Sequence, residues 1–170
     1  IVLSSPALNK PFATETPGAT FKFRFRVKAE KTDEKSSKPA VAPPIQTFRF
    51  TEKYRILLVE DNKINQLLAV TILENFGLEV KTADDGQQGV EKIKQEDFDL
   101  ILMDVQMPVM NGYESTAAIR AMGMNLPIVG LTANVYKEDI EKCLESGMNA
   151  HLGKPFTEAD LFGMLKRWLV

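Results

Sequence analysis

Three carboxylates, one hydroxyl and one ammonium group follow short, mostly apolar runs of this 170-residue sequence; they belong to Glu60, Asp61, Asp104, Thr132 and Lys154. A group of acids repels itself and needs a counter-charge that one lysine cannot fully supply. Carboxylate, carbonyl and water oxygens suit a hard divalent cation, and Mg²⁺ best suits a site that joins one or two carboxylates to a phosphate. These residue types therefore predict a magnesium site that handles a phosphoryl group.

Each residue type in such a site has a use in phosphoryl transfer. One carboxylate can act as the nucleophile towards phosphorus when the metal ion is bound. The ion, the lysine and the threonine hydroxyl can then neutralise the charge that develops on the phosphoryl oxygens. A single acid after a strand would be ordinary, but five chemically matched residues rarely coincide by chance.

The segments that must position these residues alternate between two patterns from Tyr54 onward. Short apolar runs predict buried strands at 55–59, 78–83, 98–103, 127–132 and 150–153. Helical spacing, N-cap residues and glycine stops predict helices at 63–75, 85–95, 112–122, 137–146 and 157–169. In the first helix the apolar spacing is carried by Ile64, Leu67, Leu68, Thr71, Ile72 and Phe76.

Five strand–helix units with short loops predict an α/β fold. We expect a flavodoxin-like (βα)5 doubly wound parallel sheet with strand order 2-1-3-4-5 and right-handed crossovers. Ligands of such sheets bind beyond the carboxyl ends of the strands. Because the five polar residues stand at or just after predicted strand ends, we expect them to gather at this edge.

The first 50 residues differ in character and hold six of the nine prolines. Alternation of Phe with Lys or Arg predicts a strand at 19–28, and residues 1–3 predict a second, shorter one. Residues 29–52 are predicted to be a linker. Up to residue 47 they are charged, small and proline-rich, so they cannot bury enough apolar surface to offset the entropy of ordering.

The charge is unevenly distributed between the two regions. Residues 1–55 carry 11 Lys or Arg against 5 Asp or Glu, whereas residues 56–170 carry 10 against 18. A basic segment can indicate nucleic-acid binding. Here the basic residues alternate with Phe, which is typical of a strand with one solvated face, and we expect no nucleic-acid partner.

Targeting signals and disulfides are not predicted. The apolar runs are too short to cross a bilayer, and no secretory signal pattern is present. The lone cysteine, Cys143, cannot form an internal disulfide and is expected to be a small core residue. We expect a cytoplasmic location without membrane contact by this chain, and the start at Ile1 suggests a piece of a longer protein.

Residues 53–170 resemble the receiver domain of two-component response regulators. The motifs that carry the resemblance are LLVEDN (57–62), LILMDVQMPVMNG (100–112), IVGLTA (128–133) and GKPF (153–156). The resemblance implies that Asp104 is the phosphoacceptor. It also implies that Asp61 ligates Mg²⁺ (or Mn²⁺) directly and that Glu60 does so through water.

Other roles follow from the same resemblance. The backbone carbonyl of Gln106 would be a further metal ligand, while Thr132 and Lys154 would bind the phosphoryl oxygens. The Lys154–Pro155 peptide bond is expected to be cis, an isomer that is accessible before proline. Gln106 and Asn134 occupy positions that tune dephosphorylation in the family.

The sequence departs from the family pattern at two positions. Glu60 stands where many members have Asp. His151 stands where the family carries a switch aromatic, three residues before the lysine. Two interpretations of His151 stay open: a switch residue, or a strand-end histidine without a role.

Residues 1–28 are similar to the C-terminal end of a histidine-kinase ATP-binding domain, with 1–5 and 17–27 as its last strands. This resemblance implies a hybrid sensor histidine kinase whose C-terminal receiver is residues 53–170, with any membrane anchor of the parent upstream. The chain is not expected to be a kinase, because it lacks the ATP-binding boxes and a phosphodonor histidine on a dimerisation helix.

The resemblance implies a phosphorelay receiver that takes a phosphoryl group from a kinase phosphohistidine and passes it to a histidine phosphotransfer partner. Such a receiver catalyses its own aspartyl phosphorylation and dephosphorylation. The alternative is a non-catalytic docking module for the kinase core. An aspartyl-phosphate phosphohydrolase is disfavoured, because Gln106 stands where a second acid would be needed.

Overall fold

A computed structural model describes residues 48–133 and 136–170. The strands are β1 Arg55–Val59, β2 Glu79–Ala83, β3 Leu100–Asp104, β4 Ile128–Thr132 and β5 Ala150–Gly153. The helices are α1 Lys63–Asn75, α2 Gly86–Gln95, α3 Gly112–Ala121, α4 Lys137–Glu145 and α5 Glu158–Leu169. The strands predicted at 1–3 and 19–28, the linker up to residue 47, and Asn134 lie outside the described residues.

The five strands form one parallel sheet in the order β2-β1-β3-β4-β5, which confirms the predicted fold class and topology. The central strands β1 and β3 are buried almost throughout, as expected for strands covered by helices on both faces. Two apolar clusters fill the space between sheet and helices, one on each face. The predicted core position of Cys143 is confirmed.

Helix ends follow the local signals that the sequence carries. Asn62, Asp85, Asn111 and Thr157 cap their helices through side-chain oxygens that accept backbone N–H groups. Gly77 follows α1 with a positive φ of 86°, a conformation that glycine adopts at little cost. The four side-chain caps fix where α1, α2, α3 and α5 begin, and so fix the loops that join strand ends to these helices.

The helix α1 is present where predicted, but the first half of its apolar stripe does not face the core. Ile64, Leu67 and Leu68 are 79%, 70% and 61% exposed, respectively. The inward positions are instead Gln66, Ala69 and Leu73. Apolar residues occur on both sides of this helix, so spacing alone could not decide which side packs against the sheet.

Two aromatic residues of the segment predicted as a linker belong to the folded core. The ring of Phe48 lies 5.0 Å from that of Phe162, and the ring of Phe50 lies 4.8 Å from the same ring. The backbone N–H of Phe50 also donates to the carbonyl of Phe76 at 2.8 Å. The ordered packing of this domain therefore begins at least five residues before the predicted boundary at residue 53.

The amino ends of β4 and β5 are tied together by one guanidinium group. Arg120, near the end of α3, donates to the carbonyls of Gly147, Met124 and Leu126 and to Asn149 Oδ1, at distances between 2.8 and 3.0 Å. Burial lowers the pKa of Arg120 from its usual value. Neutral oxygens therefore accept the hydrogen bonds of a partly buried cation at the point where β4 and β5 begin.

A second arginine does the same at the amino ends of β1 and β3. Arg55 donates to the Asp97 carbonyl and to Glu96 Oε2, both at 2.6 Å, and its guanidinium carbon lies 5.2 Å from the centre of the Phe98 ring. Its backbone N–H donates to Asp99 Oδ2 at 2.7 Å. The loop before β3 is therefore fixed to the start of β1.

Among the helices in the described part of the chain, none combines the length and apolar character that crossing a membrane requires.

Candidate active site

The strand register brings the predicted site residues to one edge of the sheet. Val59 of β1 pairs with Met103, so Glu60 follows β1 at the level of Asp104, the last residue of β3. On the other side Thr132, the last residue of β4, pairs with Gly153, which precedes Lys154. Parallel strands place their carboxyl ends together, so residues far apart in sequence meet here.

Lys154 joins two of the acids directly. Its ammonium nitrogen lies 2.5 Å from Glu60 Oε2 and 2.8 Å from Asp104 Oδ2. Both carboxylate residues are buried, with 2% and 7% of their surface exposed. Charge-assisted hydrogen bonds of this length are strong, and buried carboxylates without such a partner would be costly.

The environment shifts the pKa of both partners. Burial raises the pKa of Asp104; the hydrogen bond from Lys154 opposes this effect, and the charge of Glu60 adds to it. Burial would lower the pKa of Lys154, but its hydrogen bonds to Asp104 and Glu60 outweigh burial and raise it. Lys154 is therefore held as an ammonium ion beside a carboxylate whose negative charge is only partly compensated.

Asp61 completes an acidic group with the geometry of a cation site. One oxygen from each carboxylate of Glu60, Asp61 and Asp104 lies within 4.8 Å of the others, and Asp61 is the most exposed of the three. Carboxylate oxygens at this spacing fit a hard ion such as Mg²⁺, which keeps water molecules on its solvent side. The donor set is therefore compatible with the predicted metal.

Thr132 lies in the buried centre of this edge, with 4% of its surface exposed. Its backbone carbonyl accepts the N–H of Lys154 at 2.7 Å, which extends the β4–β5 pairing past the end of β5. The Lys154–Pro155 bond is cis, as predicted. The main chain bends at Lys154 and Pro155, where the Lys154 amine contacts Asp104.

The loop after Asp104 is short and strained. The backbone N–H of Gln106 donates to Asp104 Oδ1 at 3.3 Å, while the Gln106 side chain is exposed. The N–H of Met110 donates to the Pro108 carbonyl at 2.8 Å across Val109, whose φ is +67°. This is the rarer form of γ-turn, which is unfavourable for a β-branched residue.

Two amide side chains at the start of α1 belong to the site, and the sequence analysis did not select them. Asn65 Nδ2 donates to Glu60 Oε1 at 3.1 Å. Gln66 Nε2 lies 3.2 Å from the Glu60 carbonyl, 3.4 Å from the Ala83 carbonyl and 3.1 Å from Asp84 Oδ1. Because apolar residues occur on both sides of α1, its spacing did not mark Gln66 as inward, and the sequence carried no signal that selected either residue.

A cavity of about 320 Å³ opens beside these groups, between α1 and the segment that follows β5. Its polar wall includes Glu60, Asn65 and Lys154, and apolar residues form the rest: Leu68, Ala69, Leu131, Pro155 and Phe156. It is continuous with the exposed apolar side of α1 through Leu68. The site therefore borders an apolar recess as well as solvent.

The structure describes two of the three residues that the family pattern predicts to be switch or tuning residues. His151 lies in β5 opposite Gly130 and is half-buried. Gln106 has an exposed side chain beside the acids, where it is accessible to water. The third, Asn134, lies outside the described residues.

The sequence model of the response regulator receiver domain matches residues 56–166. The chain belongs to this family. The sensor protein GacS of Pseudomonas syringae pv. syringae is 41% identical over 133 residues, which are 75% of this chain and 14% of GacS. The chain therefore spans about one seventh of the length of that relative.

Two solved structures that are similar to this chain contain a metal ion or a partner protein. The receiver domain of sensor histidine kinase PA1611 from Pseudomonas aeruginosa PAO1 was crystallised with magnesium in the active site cleft. It is 43% identical, with a TM-score of 0.65, and the match covers 69% of this chain and 98% of that one. A chain in the co-crystal structure of Saccharomyces cerevisiae Ypd1, a histidine phosphotransfer protein, with the Ssk1 receiver domain is 34% identical, with a TM-score of 0.66 and coverages of 68% and 88%.

Proposed function

We propose that this domain is a phosphorelay receiver that accepts a phosphoryl group on Asp104 and passes it to a histidine phosphotransfer partner. The observation that carries the proposal is the position of Lys154, whose ammonium bridges Glu60 and Asp104 beside Asp61 and Thr132. A structural ion pair would need one acid for one lysine. The excess of buried acid favours a site that binds a cation and a phosphoryl group.

The metal would be held by Glu60, Asp61, Asp104 and the Gln106 carbonyl, and Mg²⁺ is the ion that suits these oxygens best. When bound, it neutralises negative charge on the phosphoryl oxygens. Magnesium in the cleft of the PA1611 receiver domain supports this assignment. The Mg²⁺ preference over Mn²⁺ is part of the proposal.

The chain's own residues supply the remaining chemistry. An oxygen of Asp104 forms the new P–O bond while the P–N bond of the donor phosphohistidine breaks, and the imidazole leaves with that electron pair and takes up a proton. Lys154 moves its hydrogen bond from the carboxylate to a phosphoryl oxygen, and the Thr132 hydroxyl binds another. The hydrogen bond from the Gln106 N–H keeps the acceptor carboxylate oriented.

The exposed side of α1 is the proposed contact surface for the phosphotransfer partner. Ile64, Leu67 and Leu68 form an apolar stripe next to the site, and such stripes on a monomer mark interaction surfaces. A partner that presents a histidine on a helix could pack an apolar helix face against α1 and still reach Asp104. The Ypd1–Ssk1 complex supports a partner of this kind.

We further propose that the chain derives from a hybrid sensor histidine kinase. GacS is a sensor protein and PA1611 is a sensor histidine kinase, and the receiver domain of PA1611 is similar to this chain. The resemblance of residues 1–28 to the end of an ATP-binding domain supports the same origin and implies that the kinase domain of the parent is the phosphodonor. A cytoplasmic location is part of this proposal.

Phosphorylation of Asp104 is tested with acetyl phosphate and Mg²⁺ by intact-mass spectrometry. We expect a phosphoryl adduct in the wild type, no adduct in Asp104→Asn, and loss of the adduct when EDTA removes the metal. NMR shifts at Thr132 and His151 on addition of beryllofluoride provide a second readout. An adduct that survives Asp104→Asn would rule out this acceptor, and a silent wild type would favour the docking module.

The partner surface is tested separately with phosphorylated Ypd1 as the donor. Leu67→Asp is expected to slow transfer from Ypd1 about tenfold or more, because it places a charge in an apolar interface, while labelling by acetyl phosphate stays unchanged. Leu144→Asp on α4 is the matched control, since Leu144 is also an exposed leucine. Equal effects of the two substitutions would contradict the α1 assignment.

A further inference from the structure

Glu60 is the site residue with the most complete set of contacts. Its Oε2 accepts from Lys154, and its Oε1 accepts from the Asn65 side chain at 3.1 Å and faces the Asn62 N–H at 3.4 Å. Both carboxylate oxygens are therefore directed before any cation binds. The Asn65 contact comes from the first turn of α1 and crosses five positions in sequence.

Gln66, the next residue, fixes the main chain of the same glutamate. Its side chain is buried, and its amide nitrogen donates towards the carbonyls of Glu60 and Ala83 and towards Asp84 Oδ1. A buried amide that bridges the ends of β1 and β2 fills an otherwise apolar position of the helix. Its hydrogen bonds account for its inward orientation.

We propose that Asn65 and Gln66 are positioning residues that adapt this site to a glutamate at position 60. Glutamate has one more rotatable bond than aspartate, so its carboxylate needs more restraint to stay in one orientation. Asn65 supplies that restraint at the carboxylate, and Gln66 supplies it at the backbone. The inference rests on the proposed function, since it assigns their effect to metal binding and phosphorylation at the same site.

The pair acts through Glu60 and touches neither the phosphoryl group nor Asp104. Residues that orient metal ligands in this way usually affect metal affinity strongly when they are changed. Loss of Asn65 should therefore weaken Mg²⁺ binding and raise the Mg²⁺ concentration needed for phosphorylation. The rate at saturating Mg²⁺ should change little, because the reacting atoms keep their neighbours.

The test is a double-mutant cycle between position 65 and position 60, with Mg²⁺ alone as the probe. Isothermal titration calorimetry measures Mg²⁺ affinity for wild type, Asn65→Leu, Glu60→Asp and the double variant. We expect Asn65→Leu to weaken binding about tenfold when Glu60 is present. With aspartate at position 60, which is too short to reach Asn65, we expect less than about a twofold effect.

Asn75→Leu is the matched control, since it adds the same side chain to α1 about 15 Å further along the helix. Gln66→Leu is a second variant; if it does not fold, Asn65→Leu decides the question alone. Unchanged Mg²⁺ affinity in Asn65→Leu, or an equal loss in both backgrounds, would overturn the inference. A wild type that binds no Mg²⁺ and takes no phosphoryl group would instead overturn the proposed function.

Discussion

The two ends of the sheet use charge in opposite ways. At the amino ends, Arg55 and Arg120 lie among enough carbonyl and carboxylate oxygens to satisfy each guanidinium. At the carboxyl ends, Lys154 pairs with two buried carboxylates, and Asp61 adds a third beside them. One end is electrostatically complete in the folded chain, whereas the other carries an excess of negative charge.

The contacts that stabilise the fold and the groups that are available for chemistry therefore lie at opposite ends of the sheet. Hydrogen bonds that are fully made at the amino ends hold the strand starts in register. Incomplete compensation at the carboxyl ends costs stability, but under the proposed function it would favour binding of a cation and a phosphoryl group. We therefore expect changes at the amino ends to act on folding and changes at the carboxyl ends to act on binding.

The largest effect is expected from Arg120→Met, which keeps the aliphatic part of the side chain and removes its four hydrogen bonds. The partly buried carbonyl oxygens of Gly147 and Leu126 would lose their Arg120 donor, so we expect a loss of about 2–3 kcal/mol in the free energy of unfolding. Urea denaturation followed by circular dichroism measures it. Arg167→Met, at an exposed position of α5, should stay within about 0.5 kcal/mol; equal losses would refute a special role for Arg120.

An intermediate effect is expected from Lys154→Met. Without the ammonium group, Glu60 and Asp104 repel each other, so the metal-free protein should lose about 2 kcal/mol of stability. This is less than for a fully buried pair, because the Lys154 side chain is 21% exposed. Added Mg²⁺ should then raise the melting temperature more than it does in wild type, since the ion supplies the missing positive charge.

Phosphorylation should be impaired in Lys154→Met more than metal affinity is, because Lys154 is expected to contact the phosphoryl group. Lys63→Met, which breaks the exposed pair with Asp84, is the control and should change stability by less than about 1 kcal/mol. A smaller Mg²⁺ response in Lys154→Met than in wild type would contradict the charge argument.

The smallest effect is expected from Asp104→Asn and depends on pH. Burial raises the pKa of Asp104 above 3.8, so the folded state binds this proton more tightly than the unfolded state. The contribution of Asp104 to the free energy of unfolding is complete below about pH 4, and it is lost as the pH rises through the raised pKa.

Metal-free Asp104→Asn should therefore melt about 1–3 °C above wild type at pH 7.5, and the two proteins should converge near pH 4. Differential scanning calorimetry at several pH values provides the measurement. A lower melting temperature for the variant at pH 7.5 would mean that Lys154 fully compensates Asp104.

The fold and the gathering of five polar residues at one edge of the sheet were predictable, because each depended on a rule that needs no coordinates. Apolar runs followed by helical spacing define a parallel α/β sheet, and the carboxyl-end rule then gathers Glu60, Asp104 and Lys154. Strand limits were less accurate: β3 was predicted at 98–103 and lies at Leu100–Asp104. Phe98 is apolar, but it precedes the strand and packs against the Arg55 guanidinium. Apolar character alone therefore placed the predicted start of β3 too early.

The features that the sequence did not predict depend on which of several side chains packs against the core. In α1, leucines and isoleucines compete with Gln66 for the inward side, and the hydrogen bonds of its amide to backbone carbonyls decide the result. Before β1, the charged and proline-rich composition concealed Phe48 and Phe50, although their alternation around Arg49 was a weak strand-like signal. Composition averages over a segment, whereas packing selects single side chains.

Gly112 has a consequence for how a change at the acceptor residue spreads. A Cβ atom at this position would lie 2.3 Å from the Asp104 carbonyl oxygen and 2.9 Å from the Val105 Cα. The end of β3 and the first residue of α3 thus touch through bare main chain, with no flexible side chain between them to absorb a displacement. A shift of the Asp104 backbone towards α3 would therefore displace the start of that helix.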